Sequence, residues 1–419
     1  MNKTNPTIAA GIGLLLCLAG CSSEEPAADA AEQAGSDADQ MPAAEVVAAD
    51  QMPAAEVAAA QSDASTNEAP QYEVDPSWPG QLPNRWTLGQ VSGIATDSQD
   101  NIWIIQRPRS LTEHEMGAAR NPPWHDCCVP APSIIAFNPA GDVIHAWGGP
   151  TVDQESGEWV EPDDWPANEH GIFVDYQDNV WIAGNGMSDH VVLKFTPEGE
   201  RLLRIGEWQT TMGSNDPQTL GRPADITVDP ETHEVYVADG YLNRRVIVFD
   251  AETGEYKRHW GAFGNVPDDS IDTSEYLPDA EPLQVWHNPV HAVRIANDGR
   301  VYVADRMGNR IHVFNKDGSF LMEGRFATWT IGGQGSSWDI EFSRDPEQRW
   351  LFAADGANKK VWILERDTLE VVSSFGHGGR QAGQFEWVHN VAADSFQNLY
   401  TAEVNTGKRV QKWVPVGGG

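Results

Sequence analysis

Three histidines of this chain fall in one slot of a sixfold repeat. The residue two before the Ile or Val of the first β-rich run in each copy is Ser92, His170, Ala224, His291, Trp338 and His389. Histidine thus takes the second, fourth and sixth copies. In a closed ring of six units these copies stand about 120° apart, with the innermost strand of each lining a central channel. One slot at one end of that strand points at the axis, so three imidazoles converge with threefold geometry. Three neutral nitrogens with an open fourth position make a catalytic zinc site. The plainer alternative is three channel histidines bonded to water.

Other residues also break the repeat. Asp239, Asp305 and Asp355 recur after the second run, followed by Asn243, Asn309 and Asn358, and read as turn and inter-strand hydrogen-bonding groups. Tyr241 stands where other copies carry Met307 and Ala357. Arg107 and Arg306 stand where others carry Gly240 and Gly356. These departures invite a functional reading; for the arginines a salt bridge within an acidic shell is the alternative. Cys127 and Cys128 are neighbours in the loop Trp124 to Pro130. In an oxidising compartment their only partner within the chain is each other, which predicts a vicinal disulfide. A reduced pair, or metal ligation with His125 and Asp126, is the other reading.

The elements that must position these groups are short strands. Each copy starts with a run such as Gly171-Ile172-Phe173-Val174-Asp175 or Asp225-Ile226-Thr227-Val228-Asp229. A second run follows, such as Val235-Tyr236-Val237-Ala238, across turns such as Asp298-Gly299 and Gln397-Asn398. Third runs such as Arg245 to Phe249 and Gly-ended fourth runs such as Arg258 to Gly261 complete the unit. Four short strands repeated six times predict an all-β, six-bladed β-propeller with four-stranded blades. The repeats start 78, 54, 67, 47 and 51 residues apart. The excess sits in loops 108–132, 150–168 and 264–289, expected on one face around a binding site. The segment around Trp86-Thr87-Leu88 is expected to supply the outer strand that closes the ring.

The termini and the charge add context. Residues 1–20 read as an export signal: Lys3, then an apolar stretch from Ile8 to Ala19 too short to span a bilayer, which needs roughly 20 apolar residues. Leu18-Ala19-Gly20-Cys21 resembles a bacterial lipobox, which makes Cys21 the lipidation site. Residues 21–75 carry thirteen acids, no Lys or Arg, and a tandem duplication (Ala38–Val46, Ala49–Val57). Such a segment cannot bury enough apolar surface to order itself and reads as a disordered tether. Residues 76–419 form the propeller. The net charge of −34 argues against nucleic acid, which requires a basic footprint.

The strand phrases resemble NHL-repeat propellers. Gly89-Gln90-Val91-Ser92-Gly93, His170-Gly171, Asp239-Gly240-Tyr241 with Asn243 and Arg245, and Ala304-Asp305-Arg306 resemble the catalytic domain of peptidyl-α-hydroxyglycine α-amidating lyase. The resemblance covers residues 89–414. It implies zinc on His170, His291 and His389, a substrate-holding role for Arg107, Tyr241 as base, and Arg306 as a second active-site arginine. It also implies a structural calcium on the carbonyls of Ile94 and Ile172. The family's acidic calcium ligand is Asn390 here, its methionine before the third histidine is Trp387, and its half-cystine after the tyrosine is Leu242.

The resulting expectation is a zinc lyase, with calcium as a second ion, acting on a small carboxylated or peptide-like substrate. It would be exported to a bacterial cell envelope, monomeric, and in contact with membrane only through its lipid. Two other functions stay open: a non-enzymatic NHL propeller that binds a peptide, glycan or envelope protein, and a lactonase-like metal hydrolase.

Overall fold

The computed structural model describes residues 68–417; the signal, Cys21 and most of the tether lie outside them. Six four-stranded antiparallel sheets form the blades of a β-propeller, with no α-helix among the described residues. The expectation of an all-β propeller of six four-stranded blades holds. Each inner strand packs beside that of the next blade, the sixth beside the first, so the ring is closed.

Blade three shows why these residues make strands. Asp225–Asp229, Glu234–Asp239 and Arg245–Asp250 are almost wholly buried, while Tyr256–Trp260 is largely exposed. A blade is covered on both faces by its neighbours, so between their charged ends its inner strands are mostly β-branched and apolar rather than alternating. The core is accordingly six layers, one between each pair of blades. Tyr302, Ile311 and Val313 of blade four meet Ile340, Leu351 and Ala353 of blade five. Tyr400, Ala402 and Val410 of blade six meet Ile94, Ile104 and Phe137 of blade one. At the hairpin turns Gly299 and Gln397 adopt the positive φ that such turns require.

The closing strand is not the one expected. Gln71–Asp75 pairs antiparallel with Arg409–Val416 and supplies the outer strand of blade six. Trp86–Thr87 instead pairs in parallel with Val129–Pro130, tying down loop 108–132. The sheet therefore begins before residue 76. Five residues with only Tyr72 and Val74 to pack are a weak signal beside an acidic, Ala- and Pro-rich stretch. Their packing partners, among them Phe352, Phe375 and Trp413, lie about three hundred residues away.

Strand alternation places the loops. In every blade the first strand starts, and the second strand ends, at the face where the histidine slot lies. The connections from second to third strand and from blade to blade leave from that face. Loops 108–132, 150–168 and 264–289 are all of these two kinds, so they gather around the mouth of the channel.

Candidate metal centre

The inner strands Glu169–Val174, Val290–Ile295 and Val388–Ala393 each carry their histidine at the second residue. At each histidine the register slips against the neighbouring strand, between Glu169 and Ile172, Val290 and Ala292, and Val388 and Asn390. A bulge leaves one residue unpaired and re-aims its side chain, here toward the axis. The three rings form a near-equilateral triangle with centroid separations of 4.9, 5.0 and 5.0 Å. One nitrogen of each lies within 4.8 Å of the others, and all three residues are buried. This is the one such group of His, Cys, Asp or Glu among the described residues.

The other ring nitrogen of each histidine is already held. His170 Nδ1 lies 2.8 Å from the carbonyl of Ala224. His291 Nδ1 meets the carbonyl of Trp338, and His389 Nδ1 the Oδ1 of Asn390. Carbonyl oxygens only accept, so every Nδ1 carries its proton and every Nε2 presents a lone pair. Burial, reinforced by the neighbouring imidazoles and by Arg107 or Arg306, pulls His170 and His291 far below the ordinary imidazole range. Burial likewise pushes His389 down to about 3. Three neutral, convergent nitrogens with engaged outer faces are a donor set that fits a divalent transition ion.

Tyr241 comes from the turn after Glu234–Asp239. Its hydroxyl lies 2.9 Å from His170 Nε2 and 3.1 Å from His291 Nε2, and accepts from Arg306 Nη1 at 3.2 Å. Gly240 makes this approach possible: a Cβ there would meet the Val290 carbonyl at 2.0 Å. Arg306 stacks on Trp338, 4.2 Å from the ring centroid, and Trp338 packs against Trp387. Arg107 donates Nε to the carbonyl of Glu169 (2.6 Å) and Nη1 to Gln90 Oε1 (2.9 Å). Burial lowers both guanidinium pKa values. Tyr241 opposes the shift at each, and Glu169 also at Arg107. Arginine stays charged even so. In an acidic protein, one half-buried and one buried guanidinium that are in no ion pair among the described residues are suited to meet an anion.

The repeated Asp and Asn groups are structural, as their recurrence implies. Asp239 holds Asn243 (2.7 Å) and Arg245 (2.9 Å), and Asp305 holds Arg310 (2.7 Å). Cys127 and Cys128 are bonded to each other; Cys127 is exposed, in the loop tied down through Val129–Pro130.

Of the residues implied for calcium, Ile94 and Ile172 lie on the inner strands of blades one and two. Asn390 brings no charge, its Oδ1 faces His389, and its Nδ2 donates to Asp339 at 3.1 Å. The carboxylates nearby, Asp225 and Asp339, are already paired with Arg294. Burial raises both acids, Asp339 to about 7, and one guanidinium shared between two carboxylates does not offset it. Sequence reasoning passed over this trio. Its signal was there: two Asp occupy a position that is Gly93, Gly171, Ala292 or Asn390 in other copies, and an Arg lies inside an inner strand.

No family model matches the chain. It is 27% identical over 262 residues to peptidyl-glycine alpha-amidating monooxygenase B of Xenopus laevis, covering 61% of this chain and 26% of that protein. It is 26% identical over 365 residues to peptidyl-alpha-hydroxyglycine alpha-amidating lyase 1 of Drosophila melanogaster, covering 82% and 60%. It is 26% identical over 364 residues to human NHL repeat-containing protein 3, covering 82% and 84%. The chain thus spans about a quarter of the length of the first of these relatives. Its relatives are amidating lyases and monooxygenases on one side and an NHL repeat protein with no activity in its name on the other.

Proposed function

We propose that this propeller is an exported, zinc-dependent lyase that cleaves the C–N bond of a carbinolamide such as a peptidyl-α-hydroxyglycine, giving a peptide amide and glyoxylate. The observation that carries the reading is the convergence of three lone-pair nitrogens, a tyrosine hydroxyl and a buried, carboxylate-free arginine at one end of the channel. A binding module has no need of that arrangement. A lactonase-like centre calls for acidic ligands, and here the axial carboxylates are taken by Arg294.

His170, His291 and His389 would hold the ion. A zinc ion bound there would act as a Lewis acid toward the substrate hydroxyl. Arg107 pairs with the substrate carboxylate, its fork oriented by Gln90 and the Glu169 carbonyl. Tyr241 acts as base in its phenolate form, whose charge Arg306 Nη1 faces, and takes the hydroxyl proton to become the neutral phenol. The carbon–oxygen bond becomes a carbonyl, the C–N electron pair leaves with nitrogen, and nitrogen takes up a proton. The equation then balances without oxidant or water. Trp338 and Trp387 form the pocket wall, which differs from the methionine wall of the resembling family.

Export and lipid anchoring at Cys21 belong to the same proposal and are tested by radiolabelled palmitate incorporation with and without Cys21→Ala. The activity is tested by metal analysis of chelator-free protein and by glyoxylate release from a peptidyl-α-hydroxyglycine. Stoichiometric zinc with release abolished by Tyr241→Phe is expected. Metal without release would sink the lyase assignment alone. Protein that neither contains nor takes up a transition ion would sink the enzyme and leave the binding module.

A further inference from the structure

Behind the three imidazoles the channel is closed by a charged cluster to which the reaction above assigns no step. Arg294 of blade four donates Nη1 to Asp225 of blade three and Nη2 to Asp339 of blade five, the latter at 3.2 Å. All three residues are buried. Each carboxylate also takes a backbone N–H from the next blade, Val293 to Asp225 and Val391 to Asp339, both at 3.0 Å. Four of the six blades are thereby joined through one guanidinium.

Each imidazole has an acceptor tied to this cluster, and His389 also meets the backbone of Ser92 in blade one. His170 donates to the carbonyl of Ala224, the residue before Asp225. His291 donates to the carbonyl of Trp338, the residue before Asp339. His389 donates to Asn390, whose amide donates in turn to Asp339. The guanidinium fork can bridge two carboxylates at fixed spacing, which a flexible ammonium does less well.

We propose that Arg294 is a built-in cation that positions all three histidines through Asp225 and Asp339, in place of a bound calcium ion. The metal-binding arm of its test rests on the zinc reading; the orientation of the imidazoles does not. On the side away from the histidines a cavity of about 630 Å³, lined in part by Arg294, Glu341 and Arg344, gives solvent ions a route to the cluster.

The experiment compares wild type, Arg294→Lys, Arg294→Met and the charge-neutral triple variant Asp225→Asn/Arg294→Met/Asp339→Asn, all as the full chain. Histidine tautomers are read in metal-free protein by ¹⁵N NMR, and Co²⁺ affinity by chelator competition, each with EGTA and with millimolar Ca²⁺. Wild type should show three Nδ1–H tautomers in either condition. Arg294→Lys should keep them, since one cation remains between the carboxylates. Arg294→Met should show mixed tautomers and bind Co²⁺ about 10–100-fold more weakly, the usual cost of losing outer-shell support. Calcium should restore it, because Asp225 and Asp339 are then free to hold the ion. The triple variant should be weakened to a similar degree with no response to calcium. A folded triple variant with wild-type tautomers and Co²⁺ affinity would overturn the proposal. So would wild type that carries stoichiometric calcium and loses its tautomers in EGTA. Wild type with three ordered tautomers but no affinity for Co²⁺ or Zn²⁺ would drop the metal reading and leave the positioning role standing.

Discussion

Removing residues up to Asp75 should leave a propeller that folds but is measurably weakened at blade six. The five residues Gln71–Asp75 pair with Lys412–Val416. Tyr72 lies 5.7 Å from Phe352 and 5.2 Å from Phe375, centroid to centroid, and Val74 packs into the same layer. A fully buried side chain of this size contributes about 1.5–3 kcal/mol, so two half-buried ones contribute about 2 kcal/mol. The two aromatic pairs add roughly 0.5–1.5 kcal/mol each. The ladder bonds, at about 1 kcal/mol net apiece, are largely offset by the roughly 1–2 kcal/mol needed to order each residue. The net loss is about 2–4 kcal/mol, or a Tm lower by about 3–5 °C in a domain of roughly 350 residues. Proteins starting at Glu68 and at Pro76 should be compared by calorimetry and by hydrogen exchange of the 409–416 amides. The shorter protein should also self-associate, because the outer edge of Lys412–Val416 is left unpaired. Equal melting and equal protection of 409–416 in the two proteins would refute the closing role of Gln71–Asp75.

Gly240→Ala should destabilise by about 1–3 kcal/mol and lower turnover, since the new Cβ meets the Val290 carbonyl and pushes Tyr241 off the centre; a wild-type melt and kcat would contradict this. Arg107→Ala should raise KM for a carboxylated substrate far more than it lowers kcat, and should narrow the difference between acid and amide substrates. Each single His→Ala variant at 170, 291 or 389 should lose most of its metal, leaving two ligands, while circular dichroism stays that of the β fold. Glu323 accepts from His312 and Arg325, which outweighs burial and holds its carboxyl at about 2 rather than 4.5. Its folded pKa is depressed, so its contribution is complete above about pH 4.5 and is lost as pH falls toward 2. The shift corresponds to about 3 kcal/mol, reduced to roughly half by solvent screening. Urea melts of wild type and Glu323→Gln should therefore differ at pH 6 and converge near pH 2. Mass spectrometry of the non-reduced peptide spanning Cys127 and Cys128 should show two hydrogens fewer than the dithiol; two alkylated thiols in native protein would contradict the bond.

The repeat itself determined much about this protein. Periodic apolar runs, turn residues at fixed offsets and six copies are local and self-similar, so strand number, blade number and the loop-bearing stretches are readable without coordinates. The histidine slot was readable for the same reason: in a ring, equal register means equal height on the axis, and alternate copies mean threefold placement. Internal repetition stood in for an alignment and separated Asp239 and Asp305, which recur, from Tyr241, which does not. What the tertiary structure alone decided depends on contacts between blades. The outer strand Gln71–Asp75 meets its partner across the whole length of the ring, and five residues carry too little pattern to announce it. The bulges that turn the histidines inward arise where two strands must stay paired while one gives up a residue. The Asp225–Arg294–Asp339 bridge joins three separate copies, each giving one charged residue from its inner strand. Only closure of the ring brings those charges within reach of one another.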